Sequence, residues 1–299
     1  MYKNLSNDDA PVSTALLLAA GMGSRLSPLT DSTPKCLVEV NRIPILERLM
    51  RSLCSHGIKR LFVVTGHLSE VIEDYLGNRY VGIEIIYIDS PLYKTTNNIY
   101  SLWLAGKEIK ESFLLIESDL VFQPELLTPM LQPDRIAVSK MLPWMNGTTV
   151  TLNDSKGLKA ICLGDESRNN SSHYKTVNIY NFSRDTWKII QERLDRYISA
   201  GKVNGYYEEV FAEMIAEGAI SFAPVFFDTA RWYEIDTLKD LRAAEKMFPD
   251  FSRIKSAMGE KLLPLRKAIS GRSKGALDIN SSPIAAKPLT PAVVMAPLI

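Results

Sequence analysis

The sequence predicts an α/β protein built on a doubly wound, mostly parallel sheet with a small antiparallel extension. Three observations carry this. Short, continuous apolar runs alternate with segments of helical periodicity up to about Ala137. The first run ends in a Gly-x-Gly loop, as a strand of a parallel sheet often does. Beyond Ala137, three strand-like segments follow one another with polar turns and no helix between them.

The elements follow in order. Residues 15–18, Ala-Leu-Leu-Leu, read as a buried strand. Residues 45–53 carry apolar side chains at helical spacing behind Pro44, which suits a first helical turn. Residues 61–64 form a second buried strand, 71–76 a helix, 83–88 a third strand, 99–105 a helix and 113–116 a fourth strand. Right-handed crossovers between these strands would build the parallel core. Segments 148–152, 158–163 and 177–182 form the antiparallel extension, expected to carry a second substrate. Helices follow at 187–197 and 208–217, then a strand at 220–227, then a helix at Leu238–Met247 that could run on toward residue 269. Residues 13–269 therefore read as one domain. Residues 270–299 turn to Ser, Gly, Ala, Pro and Lys, with too little large apolar surface for a core, and read as a tail or linker.

Bulk charge narrows the partners. The 299 residues balance 35 basic against 34 acidic side chains, a net charge of +1. Neither nucleic acid nor an anionic membrane is attracted by such a balance, so any anion must be held by local charge. Cys36, Cys54 and Cys162 are too few and too scattered for a disulfide framework or a zinc site. Residues 1–13 are polar and lack the apolar core of a signal peptide, and no run approaches the ~18 apolar residues of a membrane span. The expectation is a cytoplasmic protein.

The chemistry starts at the first strand, which runs directly into Ala19-Ala20-Gly21-Met22-Gly23-Ser24-Arg25-Leu26, with Pro34-Lys35 shortly after. Glycines permit sharp turning and close approach of backbone to a ligand. Successive backbone N–H groups, together with the N-terminus of a following helix, cradle phosphate oxygens. Arg25 adds a fork of donors, and Lys35 a compact charge able to follow a departing pyrophosphate. Two other glycine loops are excluded: the G-x-x-x-x-G-K-[ST] loop is absent, and Leu26 stands where the dinucleotide fingerprint needs a third glycine.

A second feature is Glu117-Ser118-Asp119 at the carboxyl end of the fourth strand, the ligand-binding rim of an open parallel sheet. Mg²⁺ takes one or two carboxylates with waters and substrate phosphates, so Asp119 needs a partner. The best candidate is Asp236, with Glu234 on the same face if that segment is extended. The rival reading is that Asp236-Thr237 merely caps the helix from Leu238. Likewise Asn97 and Asn98 can offer donors and acceptors to a base edge, or Asn98 can cap the helix that begins at Ile99.

Leu18 to Leu26, followed by Thr33-Pro34-Lys35-Cys36-Leu37, resembles the signature of the sugar-phosphate nucleotidylyltransferase superfamily. Thr96-Asn97-Asn98-Ile99-Tyr100-Ser101-Leu102 and Tyr233-Glu234-Ile235-Asp236-Thr237 resemble its small-alcohol cytidylyltransferase branch, which takes phosphocholine or 2-aminoethylphosphonate. The likeness covers roughly residues 13–248. It implies a Rossmann-like nucleotidyltransferase fold, CTP and a small phosphonate or phosphate ester as substrates, and Mg²⁺ held by Asp119 and Asp236, with Glu234 a possible third ligand. Leu18, Ala19, Ala20, Gly21, Gly23, Ser24, Thr96, Asn97, Asn98 and Ser118 would contact the nucleotide, with Arg25 and Lys35 catalytic.

The acceptor is expected in the second half. Trp144, Tyr180, Tyr206 and Tyr207 could form an aromatic cage for a quaternary ammonium. Asn178, Glu208 and Glu209 could satisfy the donors of a primary ammonium. Met145-Asn146-Gly147-Thr148-Thr149-Val150 and Lys175-Thr176-Val177-Asn178-Ile179-Tyr180 resemble the aminoethylphosphonate members, some of which are fused to an aminotransferase. The Pro-rich tail would suit a linker to such a partner, or its remnant. Phosphocholine is the alternative acceptor, then a sugar 1-phosphate or inositol phosphate. A nucleotide-sensing regulatory domain is the non-enzymatic alternative.

Overall fold

The computed structural model describes residues 11–164 and 173–248. The expected tail at 270–299, the domain boundary at 269 and the continuation of the last helix lie outside these residues.

The chain opens with β1 (Thr14–Ala19), β2 (Glu39–Val40), β3 (Ile43–Pro44), α1 (Ile45–Ser55), β4 (Arg60–Thr65), α2 (Ser69–Leu76), β5 (Arg79–Tyr80) and β6 (Ile83–Asp89). It continues through α3 (Asn98–Glu108), β7 (Phe113–Glu117), β8 (Leu120–Phe122), β9 (Arg135–Lys140), β10 (Thr149–Leu152), β11 (Leu158–Cys162) and β12 (His173–Phe182). It closes with α4 (Arg184–Ser199), α5 (Tyr207–Ala216), β13 (Ala223–Phe227), β14 (Trp232–Glu234) and α6 (Leu238–Met247).

The fold is mixed α/β, centred on a ten-stranded sheet in which β7, β1, β4 and β6 lie side by side and parallel. Every residue of β1 is buried. That is why its sequence is a continuous apolar run: both faces of a parallel sheet are covered. The two-residue period then sorts its side chains. Ala15, Leu17 and Ala19 pack with Leu46, Leu49 and Ile72 of α1 and α2 on one face. Leu16 and Leu18 pack with Ile99, Trp187 and Phe211 of α3, α4 and α5 on the other. The sheet is thus wound on both faces.

Strand β12 joins the parallel half to the extension. Its last four residues pair antiparallel with β7, its first three with β10, and its other edge carries β9. The register against β9 shifts between Thr176 and Tyr180, where Asn178 takes a left-handed φ of 59°. A bulge of this kind re-aims a side chain beside a site.

A third, smaller core matters most for function. Leu26, Val38, Val121, Tyr233, Ile235 and Leu241 cluster beneath a two-stranded ladder of β8 and β14, which sets Leu120 opposite Glu234. The Asp119 carbonyl accepts the N–H of Ile235 at 2.9 Å. This ladder draws the end of the parallel sheet and the segment before α6 onto the loop after β1.

Candidate active site

The loop after β1 turns through Gly23, whose φ is +62°. A Cβ there would stand 3.2 Å from both Lys35 Cβ and Thr30 Cγ2, so glycine is required twice over. The Gly23 carbonyl accepts the Thr30 hydroxyl at 2.9 Å, which pins the turn. Leu18, Ala19 and Ala20 are buried beneath it, and Gly21, Ser24 and Arg25 are exposed at its surface. The expected helix after the loop is instead a three-residue 3-10 turn, Ser24–Leu26. Backbone N–H groups of the loop, not a helix dipole, are what it can offer a phosphate.

Lys35 follows Pro34 in another short turn and reaches across the site. Its Nζ lies 2.7 Å from Asp119 Oδ2 and 2.8 Å from Asp236 Oδ1. All three side chains are about 15% exposed, at 14%, 16% and 14%. Burial works against the ammonium, but the two carboxylates outweigh it and hold the Lys35 pKa above the ordinary lysine value. Arg25 reaches Asp236 Oδ1 at 2.7 Å from a position 63% exposed, so its guanidinium stays open to a ligand.

Asp236 does not cap α6. Thr237 does, accepting the N–H of Asp240, while the Asp240 carboxylate accepts the Thr237 N–H at 2.8 Å. Asp236 is thereby left to face the loop. Asp119 Oδ1 is buried with no hydrogen-bond partner. Two convergent carboxylates, one with an unsatisfied oxygen, are a donor set that suits a divalent cation completed by phosphate oxygens. Among the described residues, no group of three or more His, Cys, Asp or Glu forms a protein-only cage. Glu234, expected as a third ligand, is engaged by other groups: its Oε2 lies 3.2 Å from Lys175 Nζ, and its Oε1 accepts from Asn178 Nδ2 at 3.3 Å.

That contact opens a second polar cluster. Lys175 is 2% exposed and donates to the Thr176 carbonyl at 2.9 Å. Glu208, on the first turn of α5, is 5% exposed, with Oε2 unpartnered. Burial pushes its carboxyl up to about 7, against the pull of Lys175 and Asn98. Burial, with the Asp119 and Glu208 charges adding to it, also pushes the Glu117 carboxyl well above the usual range. Carboxylates outnumber ammonium groups here, so a further cation would be welcome.

The other expected residues divide. Trp144 is 47% exposed and stacks on Tyr233, with ring centroids 4.9 Å apart and planes at 10°. Tyr206 is exposed. Tyr180 and Tyr207 are both fully buried, in edge contact with each other and packed against Phe211. They belong to the core beneath the site and cannot close a cage over a ligand. The two-residue period carries the signal, because Tyr180 shares a strand face with Phe182. Glu209 is spent on the α5 N-terminus, where its Oε1 accepts the Tyr206 N–H at 3.1 Å. Asn97, not Asn98, caps α3, accepting the Asn98 N–H at 2.8 Å. Thr96 turns back onto the Leu92 carbonyl at 2.8 Å. Ser118 sits in the turn between β7 and β8.

Comparison with known proteins places this geometry. Residues 14–138 match the model of the family described as nucleotidyl transferase. Over 82% of its length the chain is 30% identical to CMP-5'-(3-aminopropyl)phosphonate synthase of Streptomyces rubellomurinus, spanning 40% of that protein. It is 28% identical to 2-aminoethylphosphonate cytidylyltransferase of Lancefieldella rimae, over 80% of this chain and 94% of that one. The chain is thus similar to nucleotidyl transferases, through residues 14–138 in the family match and over about four fifths of its length in these relatives. A solved structure of CTP:phosphocholine cytidylyltransferase from Streptococcus pneumoniae superposes with a TM-score of 0.67 at 25% identity, over 79% of this chain and 99% of the other. Its fold is therefore the one found here, and the nucleotidyl transferase motif spans the loop, Lys35 and Asp119. Asp236, Lys175 and Glu208 lie beyond the matched segment.

Sequence reasoning gave no role to Lys175 or Glu117. Glu117 is a charged residue ending an apolar strand run, the local sign that could have flagged it; Lys175 stands among His173, Tyr174 and Thr176 and gives no such sign.

Proposed function

We propose that this protein is a cytidylyltransferase that transfers CMP from CTP to 2-aminoethylphosphonate and releases pyrophosphate. One observation carries the reading. Lys35 bridges Asp119 and Asp236 at the mouth of the glycine loop, and the carboxylate-rich cluster of Glu208 and Glu234 lies beside them.

The glycine loop would receive the triphosphate through backbone N–H groups. An oxygen of the acceptor's phosphonate attacks the α-phosphorus in line, and the bond to the β-phosphate oxygen breaks, carrying its electron pair away with pyrophosphate. Lys35 and Arg25 stabilise charge on the departing β,γ-phosphates. Mg²⁺ held by Asp119 and Asp236 would neutralise the α-phosphate and let two anions approach. The attacking oxygen is already ionised, so no general base is needed, and positioning supplies much of the rate.

On the acceptor side, Glu208, Glu234 and Asn178 would take the primary ammonium, with Lys175 holding Glu234 in place. A primary ammonium loses much if its donors are left unpaired on burial. A trimethylammonium needs aromatic faces. With Tyr180 and Tyr207 committed to the core, Trp144 on Tyr233 is the exposed stack left for one. This supports the primary amine, as do the names of two of the relatives. Phosphocholine is the second reading, favoured by that stack.

The test is a pyrophosphate-release screen of CTP, UTP, dTTP and ATP against aminoethylphosphonate, phosphocholine, phosphoethanolamine and sugar phosphates. The expected result is CTP with aminoethylphosphonate, with kcat/KM at least ~100-fold above phosphocholine. A preference for phosphocholine would overturn the acceptor and leave nucleotidyl transfer standing. Binding of CTP without turnover of any acceptor would favour a nucleotide sensor.

A further inference from the structure

The Asn97-Asn98 pair is engaged within the protein through both amide oxygens and at least one donor of each amide. A primary amide offers one oxygen acceptor and two N–H donors. The Asn98 oxygen accepts the N–H of Tyr207, the first residue of α5, at 3.0 Å. Its nitrogen donates toward Glu117 Oε1, at the end of β7, at 3.4 Å. The same amide lies against the Glu208 carboxylate and favours its charged form. Asn97 is bound as closely: its N–H donates to the Val203 carbonyl at 3.0 Å and its Nδ2 to the Asn204 carbonyl at 3.4 Å, both in the connection between α4 and α5. To read a base edge, Asn98 would first have to release α5 and β7.

We infer that Asn98 is a positioning residue for the acceptor side of the site, fixing the first turn of α5, and Glu208 with it, against the end of β7. The inference rests on the proposed role of Glu208 in taking the acceptor's ammonium. Asn98 stands at the start of α3, bonded to α5 through its oxygen and to the end of β7 through its nitrogen. Glu117 lies two residues before Asp119 in the chain, so one amide ties the acceptor helix to the strand that presents the cation-binding carboxylate. Loss of that amide would leave the triphosphate contacts alone and let the acceptor pocket drift.

The test uses Asn98→Ala and Asn98→Asp. The second keeps an oxygen for the Tyr207 N–H while replacing the donor to Glu117 and Glu208 with a repelling carboxylate, and melting curves of both variants show which one to read. CTP affinity is measured by calorimetry, the CTP:UTP preference by turnover, and KM and kcat separately for each substrate. The expected outcome is a KM for aminoethylphosphonate raised at least tenfold in both variants. CTP affinity and the CTP:UTP ratio should stay within twofold of wild type, and kcat should be little changed at saturating acceptor. Weakened CTP binding or a collapsed CTP:UTP ratio, with acceptor KM unmoved, would assign Asn98 to the base and overturn the inference. Unchanged constants throughout would overturn it too. A wild-type enzyme inactive on CTP and aminoethylphosphonate would instead sink the proposed function, and nucleotide calorimetry on wild type and variant would still decide whether Asn98 reads the base.

Discussion

The ammonium of Lys35 stands 2.7 Å from the Asp119 carboxylate, in a site where both side chains are mostly removed from water. Together with Asp236 it makes a preformed charge arrangement, one cation between two anions, at the place where a nucleotide's phosphates would arrive. Replacing Lys35 by alanine should lower kcat about a hundredfold, ~3 kcal/mol, the usual cost of one transition-state contact. Arg25→Ala should act in the same direction. Near-wild-type turnover of both variants at saturating substrates, with unchanged melting curves, would remove the site.

Activity should require a divalent cation. EDTA-treated enzyme is expected to be silent and to recover on titration with Mg²⁺, while Asp119→Asn and Asp236→Asn each nearly abolish turnover. Full activity in EDTA would exclude the mechanism. An effect at Asp119 alone would reduce Asp236 to an anchor for Lys35.

Thr237 and Asp236 should separate cleanly. Thr237→Ala removes the α6 cap and should cost ~1 kcal/mol, a fall of roughly 2–4 °C in Tm, with kcat little changed. Asp236→Asn should do the reverse. A Tm loss on Asp236→Asn with kcat intact would contradict the division of labour seen here.

Glu208 predicts a pH dependence. Its folded pKa, about 7, lies above the ordinary carboxyl value of 4.5, because burial favours the neutral form. The folded state therefore binds more protons between those two values, and this group's contribution to stability falls as pH rises through that window. Ligand binding has the opposite sign, since only the ionised carboxylate attracts an ammonium. KM for aminoethylphosphonate should fall as pH rises through about 7 in wild type, more steeply than in Glu208→Gln. Titration of the acceptor itself is common to both enzymes, so parallel profiles would exclude Glu208 from the acceptor pocket.

The segment 270–299, read from its composition as a tail, should be dispensable for chemistry. A chain truncated after Ile269 is expected to keep its Tm and turnover. A large drop in either would mean that the segment packs on the domain or completes a site.

Much of this was legible because it is local. A fully apolar run ending in glycine announces β1 and its loop, and a carboxylate at the end of β7 announces Asp119. Asp236 was less legible, since a cap for the helix from Leu238 is an equally good reason for acidic sequence there, and its motif strengthened the reading. Strand β9 escaped notice because its pairing with β12 and β13 is non-local and its ends are polar. Lys175, and the burial of Glu208, were obscured for a related reason. Sequence shows that a residue is charged, but only the closing of β12 over α5 and β14 shows that the charge is buried and against what.

The ladder of β8 and β14 has a consequence for biosynthesis. The glycine loop, Lys35 and Asp119 all leave the ribosome long before Asp236 does, and the parallel strands that support them can pair without it. A nascent chain, or one cut between α5 and β14, would keep the helices that cover both faces of β1 and own the phosphate-binding half of the site but not the second carboxylate. Catalytic competence would then switch on at a single late point in translation, when three residues of β14 zip onto β8.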